Sequence, residues 1–408
     1  MKPARSRFTI LQQLGNLIPA FLVARLARKH GVEQKSRSFT PWSHVVSLLF
    51  AQIAHALSLN DVCDTLRYHC GVLTTMRRAT TPSRNGLSHA NRKRNPDMAE
   101  ALFWGVLAHL RGLWPRFGMG RAYCGFPRLF RRIVNVVDST TIRLVANCLD
   151  WAKHRRRKAA AKCHLRLDLE TFLPRFALVK TAGTHDAKEA RIVCAGIQAG
   201  EVVVFDKAYI DLDHLYELTQ RCVFWVTRAK SNLQYTVVRE NSAPEGNILR
   251  DLIVRLAIPK SAEQYPEELR LIEAVVEVDG KSVAMVFFTN NLEWKPGSIC
   301  DLYKGRWGIE VFFKQLKQGL QLADFLGHNE YAIRWQVWTA LLAYVLLRFI
   351  AYAGQWTHAF ARLFTLLRGV LWECLDLFSL VQHCGTATSP PRFRAAPEQA
   401  YLPGFGPA

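Results

Sequence analysis

Acidic residues are scarce in this chain: 33 Asp and Glu stand against 54 Lys and Arg, a formal net charge of +21 over 408 residues. That imbalance points to a polyanionic partner, with nucleic acid ahead of an anionic membrane. Clean apolar runs are missing as well. The longest, from Val337 to Ala353, contains Arg348 and ends at Gly354. It falls short of the roughly 20 uninterrupted residues a membrane span needs, so it reads as a buried helix and no membrane partner is expected. The basic N-terminal stretch is interrupted by Gln12, Gln13, Asn16 and Pro19, with no small-residue cleavage site after it, so a signal peptide is not expected. The ten cysteines form no CxxC pair and no zinc spacing. Adjacent Cys163 and His164 cannot build a metal site alone, which leaves reduced thiols used as small core residues. No internal repeat is present. What is abundant is hydrophobic content, 50%, enough for a folded chain of two or three domains.

The first 125 or so residues read as helical. WSHVVSLLFAQIAHALSLNDVCDTLRYH and AEALFWGVLAHLRGLW place apolar residues three and four apart, and β-branched alternation is absent. Between them, Arg84, Asn85, Ser88, His89, Asn91, Arg92, Lys93 and Arg94 gather basic and amide side chains suited to phosphates and base edges. From residue 130 short apolar runs replace the helical period: IVNVVDST, LRLDL, FALVKT, VVVFDKAY and CVFWVTRAK read as strands. HDAKEARIVCAGIQAG before the fourth strand and IDLDHLYELTQR after it read as helices, the first of them crossing to a parallel neighbour. From about Ser231 to Ile299 the pattern is β-rich, with a hairpin around Asp279-Gly280. Helices resume at Gly305 and continue to about Val381. The Pro-, Gly- and Ala-rich end reads as a flexible tail.

Two strands end in carboxylates. Asp138 follows IVNVV and Asp206 follows VVVF, and the C-terminal edge of an open α/β sheet is where ligands bind. Neighbouring ionised carboxylates repel unless a cation lies between them, and hard divalent ions prefer such oxygen donors. Asp168 reads as a turn residue and Asp186 as a helix cap, so neither joins the candidate pair. In DLYKGRWGIEVFFKQLKQGL, Tyr303, Arg306, Glu310, Phe313 or Lys314, and Lys317 recur at spacings of three and four and share one helix face. Val311, Phe312 and Leu316 lie opposite, as on a helix that lines a cleft.

At this point the sequence resembles the DDE transposases of bacterial insertion sequences, specifically the insertion-sequence-four type. The family marker is Tyr, two residues, Arg, three residues, Glu, six residues, Lys; Tyr303, Arg306, Glu310 and Lys317 fit every spacing. Arg306-Trp307, Phe312-Phe313, DST after the first strand and FDKAY at the second Asp are also similar. The resemblance implies an α/β chain: a ribonuclease-H-like catalytic domain with a β-rich insertion, preceded by a helical DNA-binding domain. The expected boundaries are 1–125 for the helical DNA-binding domain, 126–230 plus 300–365 for the catalytic domain, 231–299 for the insertion, and 366–408 for a last helix and tail.

Carried onto these positions, the resemblance implies that Asp138, Asp206 and Glu310 hold two Mg²⁺ ions, with Mn²⁺ able to substitute, for phosphodiester hydrolysis and transesterification. Tyr303, Arg306 and Lys317 would contact phosphates of a transposon end, with Trp307 and Lys314 beside them. The family's hairpin step uses a stacking side chain in the insertion, for which Met285 and Trp294 are the positional candidates. The run Lys153-His154-Arg155-Arg156-Arg157-Lys158 offers Arg155 and Arg156 for phosphate, with Lys162 beyond it, and Arg228 and Lys230 have a similar claim. The implied partners are double-stranded DNA, as transposon end and as target, and a second copy of the chain; the implied location is the bacterial cytoplasm at the nucleoid. A nuclease or resolvase that only hydrolyses DNA is the alternative enzyme, and an inactive domesticated DNA-binding protein is the alternative binding module.

Overall fold

The computed structural model describes residues 3–33, 38–118, 131–144, 159–181, 186–241, 246–278, 281–320 and 325–384. The run 153–158, the turn at 279–280 and the C-terminal tail therefore lie outside the described residues. The N-terminal segment is helical, as its 3.6-residue period requires. Its helices are α1 (Ile10–Asn16), α2 (Ala20–Lys29), α3 (Pro41–Ala54), α4 (Leu59–Tyr68), α5 (Cys70–Thr75), α6 (Arg84–Lys93) and α7 (Asp97–Leu113). Side-chain caps fix several of the starts. Thr9 and Gln12 form a reciprocal capping box on α1, Ser58 and Asp61 do the same on α4, and Ser83 caps α6.

Nine strands make one sheet in the order β3-β2-β1-β4-β5-β9-β8-β7-β6. They are β1 (Val134–Leu144), β2 (Ala159–Asp168), β3 (Pro174–Thr181), β4 (Val202–Phe205), β5 (Phe224–Arg228), β6 (Tyr235–Glu240), β7 (Ile248–Leu256), β8 (Leu269–Val278) and β9 (Lys281–Thr289). β1, β4 and β5 run parallel, linked through α8 (Asp186–Cys194) and α9 (Leu212–Gln220), and the other neighbours are antiparallel. The α8 crossover joins β3 to β4, which is not its neighbour in the sheet, because β2 and β1 lie between them. The β-rich segment after β5 adds its four strands to the same sheet through β9, carrying α10 (Pro259–Gln264) along the way.

β1 does not end at Asp138 but continues to Leu144 against β2. What ends beside Asp138 is the parallel pairing with β4, at Val137 and Phe205, because β4 stops there. The last helices also begin earlier than expected: α11 (Pro296–Gly305) precedes α12 (Trp307–Gly319), and α13 (Glu330–Ala353), α14 (Phe360–Gly369) and α15 (Leu377–His383) follow. By length and composition α13 could cross a membrane, as could two bent helix pairs, yet 83% of its apolar window is buried inside the protein. It lies against α3, α6 and α7, with Trp335, Trp338 and Tyr344 fully enclosed, and so ties the N-terminal helices to the rest of the chain. Among the described residues eight cysteines are free thiols; Cys63, Cys163 and Cys194 are the small core residues expected, whereas Cys70, Cys222 and Cys374 are exposed.

Strand alternation sorts the core onto two faces of the sheet. Val136, Val204 and Val226 face α12 and α13, whereas Val137, Phe205 and Trp225 face α8 and α9. In the outer strands a buried ion pair replaces apolar contact. Arg270 on β8 donates Nε and Nη2 to Asp251 on β7 at 2.8 and 2.7 Å, and its Nη1 reaches the Trp294 carbonyl. Both side chains are almost fully enclosed, 5% and 7% exposed. Removing one partner strands the other charge, so Asp251→Ala should cost about 3–5 kcal/mol, read as a lower urea midpoint. A loss under about 1 kcal/mol would show that water reaches Arg270.

Candidate active site

Alternation also aims the two aspartates. Val137 and Phe205 point into the core beneath α8 and α9, so the next residues, Asp138 and Asp206, point to the opposite face, where α12 packs. Asp206 is extended and accepts the Ala208 amide at 3.1 Å, capping a short 3₁₀ turn over Lys207–Tyr209. Glu310 enters from α12, in its first turn.

The approach of α12 depends on two glycines. A Cβ on Gly305 would lie 2.7 Å from the Leu169 side chain, and one on Gly308 would lie 2.9 Å from Leu169 and 3.2 Å from Phe172. Both neighbours belong to the β2–β3 turn. Asp168 builds that turn by accepting the Glu170 and Thr171 amides at 3.0 and 3.2 Å and pairing with Arg175 at 3.1 Å. The side chain of Asp186, at the first residue of α8, lies outside the described residues.

The four marker residues do not share one uninterrupted helix. Tyr303 is on α11, Glu310 and Lys317 are on α12, and Arg306 is the junction residue, helical in its own dihedrals and capping both. Arg306 stands between the carboxylates, with Nη1 3.2 Å from Asp138 Oδ2 and Nη2 3.0 Å from Glu310 Oε1. Its guanidinium carbon lies 4.9 Å from the Trp307 ring and 5.6 Å from the Tyr303 ring. It is buried, and its Nε has no hydrogen-bond partner among the described residues.

The electrostatics follow from crowding. Burial first, then Glu310 and Asp206, push Asp138 up to about 6, against the pull of the Ser139 amide and Arg306. Burial raises Glu310 too, with Arg306 opposing and Asp206 adding. For Arg306 burial acts downward, but Tyr303, Glu310, Asp138 and Asp206 together outweigh it and hold the guanidinium above its ordinary value. Burial raises Tyr303, whose ring packs 5.2 Å from Phe287, and the positive charge of Arg228 acts on it in the opposite direction.

The remaining candidates divide by exposure. Lys314 and Lys230 are exposed, while Arg228, Lys317, Lys162 and Trp307 are half-buried. Lys317 acts electrostatically on buried Cys163 of β2. Phe313, the alternative to Lys314 on the shared helix face, is buried in the core. Met285 packs against the core, and Trp294 lies against Phe224 at 4.8 Å, so both are engaged internally. Arg155 and Arg156 lie outside the described residues. Sequence reasoning missed the contact of Arg306 with Asp138, 168 residues away, since no local spacing encodes it. Among the described residues no three His, Cys, Asp or Glu side chains converge closely enough to hold a metal ion as they stand.

Residues 130–346, more than half of the chain, match the transposase DDE domain, and residues 6–76 match a domain of unknown function, DUF4372. A putative transposase, y4zB, of Sinorhizobium fredii is 33% identical over 274 residues, covering 66% of this chain and 75% of the relative. A probable transposase for insertion sequence element IS5377 of Geobacillus stearothermophilus is 28% identical across 54% of this chain and 57% of its own length. A putative transposase for insertion sequence element IS4SA of Synechocystis is 24% identical, and the chain spans about half of it, 51%. The chain belongs to the DDE transposases of the insertion-sequence-four type. A solved piggyBac transposase synaptic complex with hairpin DNA overlays on the transposase at 10% identity with a TM-score of 0.44, covering 95% of this chain and 85% of that one.

The raised pKa of Asp138 has a thermodynamic consequence. A carboxyl that holds its proton more tightly when folded weakens the fold as pH rises from its unfolded value, 3.8, through about 6, and the loss is complete above that. In metal-free buffer, Asp138→Asn should therefore match wild type near pH 4 and exceed it at pH 7 by roughly 1–3 kcal/mol, read from urea midpoints. A variant less stable than wild type at pH 7 would show that the Arg306 contact outweighs burial.

Proposed function

We propose that the transposase binds the ends of its insertion sequence and catalyses Mg²⁺-dependent DNA cleavage and strand transfer at Asp138, Asp206 and Glu310. The observation that carries this is that Asp138 of β1, Asp206 just after β4 and Glu310 of α12 lie near enough on one face of the sheet to act on one another electrostatically, with Arg306 paired to Asp138 and Glu310. Their donors are all hard oxygens, and burial leaves Asp138 short of positive charge, so the set fits a divalent ion. Arg306 supplies part of that charge in its place. Asp138, Asp206 and Glu310 would hold the ion, and Asp138 and Glu310 would have to give up their pairing with Arg306 to do so, since the carboxylates as they stand do not close around an ion. When bound, two such ions activate the attacking oxygen and stabilise the leaving oxygen of an in-line displacement at phosphorus.

The chain's own residues do the rest. Asp206 is oriented by the Ala208 amide and Asp138 by the Ser139 amide at 2.7 Å, so both carboxylates are fixed before DNA arrives. Arg306, once displaced, is a bidentate donor for a phosphate at the transposon end, and Trp307 and Tyr303 keep its plane in place. Lys314, Lys317, Arg228, Lys230 and Lys162 supply cationic contacts along the DNA backbone, with Arg155 and Arg156 assigned the same role. The order β3-β2-β1-β4-β5 supports a ribonuclease-H-like core. The domain limits proposed are 1–125, 126–230 with 300–365, 231–299, and 366–408, and the acting species is a homodimer on paired ends.

Glu310→Gln should lower Mg²⁺-dependent cleavage of end DNA by more than about a hundredfold, the scale reached by losing even an outer-shell partner of a metal. DNA binding in metal-free buffer should stay within about threefold of wild type. Equal cleavage by both proteins would remove Glu310 from the site. Cleavage by wild type without joining of the 3′-hydroxyl to target DNA would assign a nuclease instead.

A further inference from the structure

The eight polar residues gathered around α6 separate cleanly in the structure. Asn91 and Arg94 are structural. Asn91 Oδ1 lies 2.8 Å from His44 Nε2 in a buried contact, and Arg94 turns inward to the carbonyls of Phe39 and Thr40. Leu87 and Ala90 are buried beside them. The other six, Arg84, Asn85, Ser88, His89, Arg92 and Lys93, are all exposed. None of them makes a side-chain hydrogen bond or ion pair with another described residue.

At about 100° per residue these six fill one half of the helix circumference, in two rows four residues apart. Arg84, Ser88 and Arg92 form one row, and Asn85, His89 and Lys93 form the other. Arg92 and Asn85 sit at the middle of the arc, with Ser88 and His89 flanking them, and Arg84 and Lys93 are at its margins. No acidic residue lies on α6. A solvated helix face ordinarily mixes charge signs. This face carries three cations and no anion.

The helix is also rigidly mounted. Trp335 Nε1 donates to the Arg94 carbonyl at 3.0 Å, and Asn329 Nδ2 donates to the Arg92 carbonyl at 3.1 Å. Both donors belong to α13 or its N-cap, the helix that follows the Glu310 helix in the chain. Such mounting fixes an exposed polar surface relative to the catalytic half.

We infer that the outward face of α6 reads DNA sequence in the major groove of a duplex. The inference rests on the reading that the transposase binds its element's ends, and it assigns the residues that recognise them. A helix lowered into the groove along the middle of this arc brings Asn85, Arg92, Ser88 and His89 to base edges, where amide and guanidinium groups pair with purines. The marginal Arg84 and Lys93 then meet the phosphate strands on either wall.

The test is fluorescence anisotropy of the full-length protein in metal-free buffer, with two duplex probes of equal length: the terminal sequence of its own element and a scramble of it. Asn85→Ala and His89→Ala should each reduce the preference for the end over the scramble by about tenfold, with little change on the scramble. Arg84→Ala and Lys93→Ala should weaken both probes alike and lower the slope of log affinity against log salt by about 0.9 each. All four positions are exposed, so thermal melts should match wild type. If wild type prefers the end and both Asn85→Ala and His89→Ala keep that preference, α6 is a solvated face and the inference fails while the proposed function stands. If wild type does not distinguish the probes, sequence reading by this chain is overturned at its root. Wild-type cleavage of the same end DNA with Mg²⁺, run in parallel, reports on the catalytic reading independently.

Discussion

Three carboxylates on one side of a sheet repel one another, and the fold around them is arranged to hold a cation in their midst. Arg306 is that cation. It reaches Asp138 on the central strand and Glu310 one helical turn along its own chain, and two aromatic rings fix its plane. A buried guanidinium with an unpartnered Nε is an expensive device for stability alone. In the proposed function that guanidinium would yield its place to a metal ion and turn to phosphate.

Packing serves this arrangement. Gly305 and Gly308 let the α11–α12 junction press onto Leu169 and Phe172, so Arg306 stands at the depth of the sheet rather than above it. The turn they touch is itself held from behind, where Tyr344 donates to the Phe172 carbonyl and Arg348 to that of Thr171. Arg348, which interrupts the apolar run of α13, is therefore a fastening between the long helix and the turn beneath the site. The same helix carries α6 through Trp335 and Asn329. A continuous set of contacts thus links the proposed DNA-reading face, the buried helix and the carboxylates.

Local patterns made much of this legible. The helical N-terminus follows from its 3.6-residue period, and the five strands from 134 to 228, with their two intervening helices, follow from short apolar runs between helical patterns, as does the β-rich segment after them. Asp138 and Asp206 were visible because each follows a run of buried valines, and Glu310 because its neighbours recur at helical spacing. Less visible was whatever depended on partners distant in sequence. β1 continues past Asp138 because β2 pairs along its full length, and the β-rich segment joins the main sheet because β9 lies against β5. Neither pairing leaves a mark in local composition.

The sequence by itself determined the chemistry on offer: a surplus of positive charge, three carboxylates after or within the right elements, and a marker of four residues that names the family. Tertiary structure alone decided what each side chain does with that chemistry. Tyr303 and Arg306, which the family resemblance implied would meet a DNA end, are buried, and Arg306 is paired with the carboxylates. Of eight polar residues around α6, Asn91 and Arg94 became fasteners while the other six stayed on the surface. The physical reason is the same in both places. Spacing along a helix fixes which residues share a face, but only the elements packed against that face decide whether it meets protein or solvent.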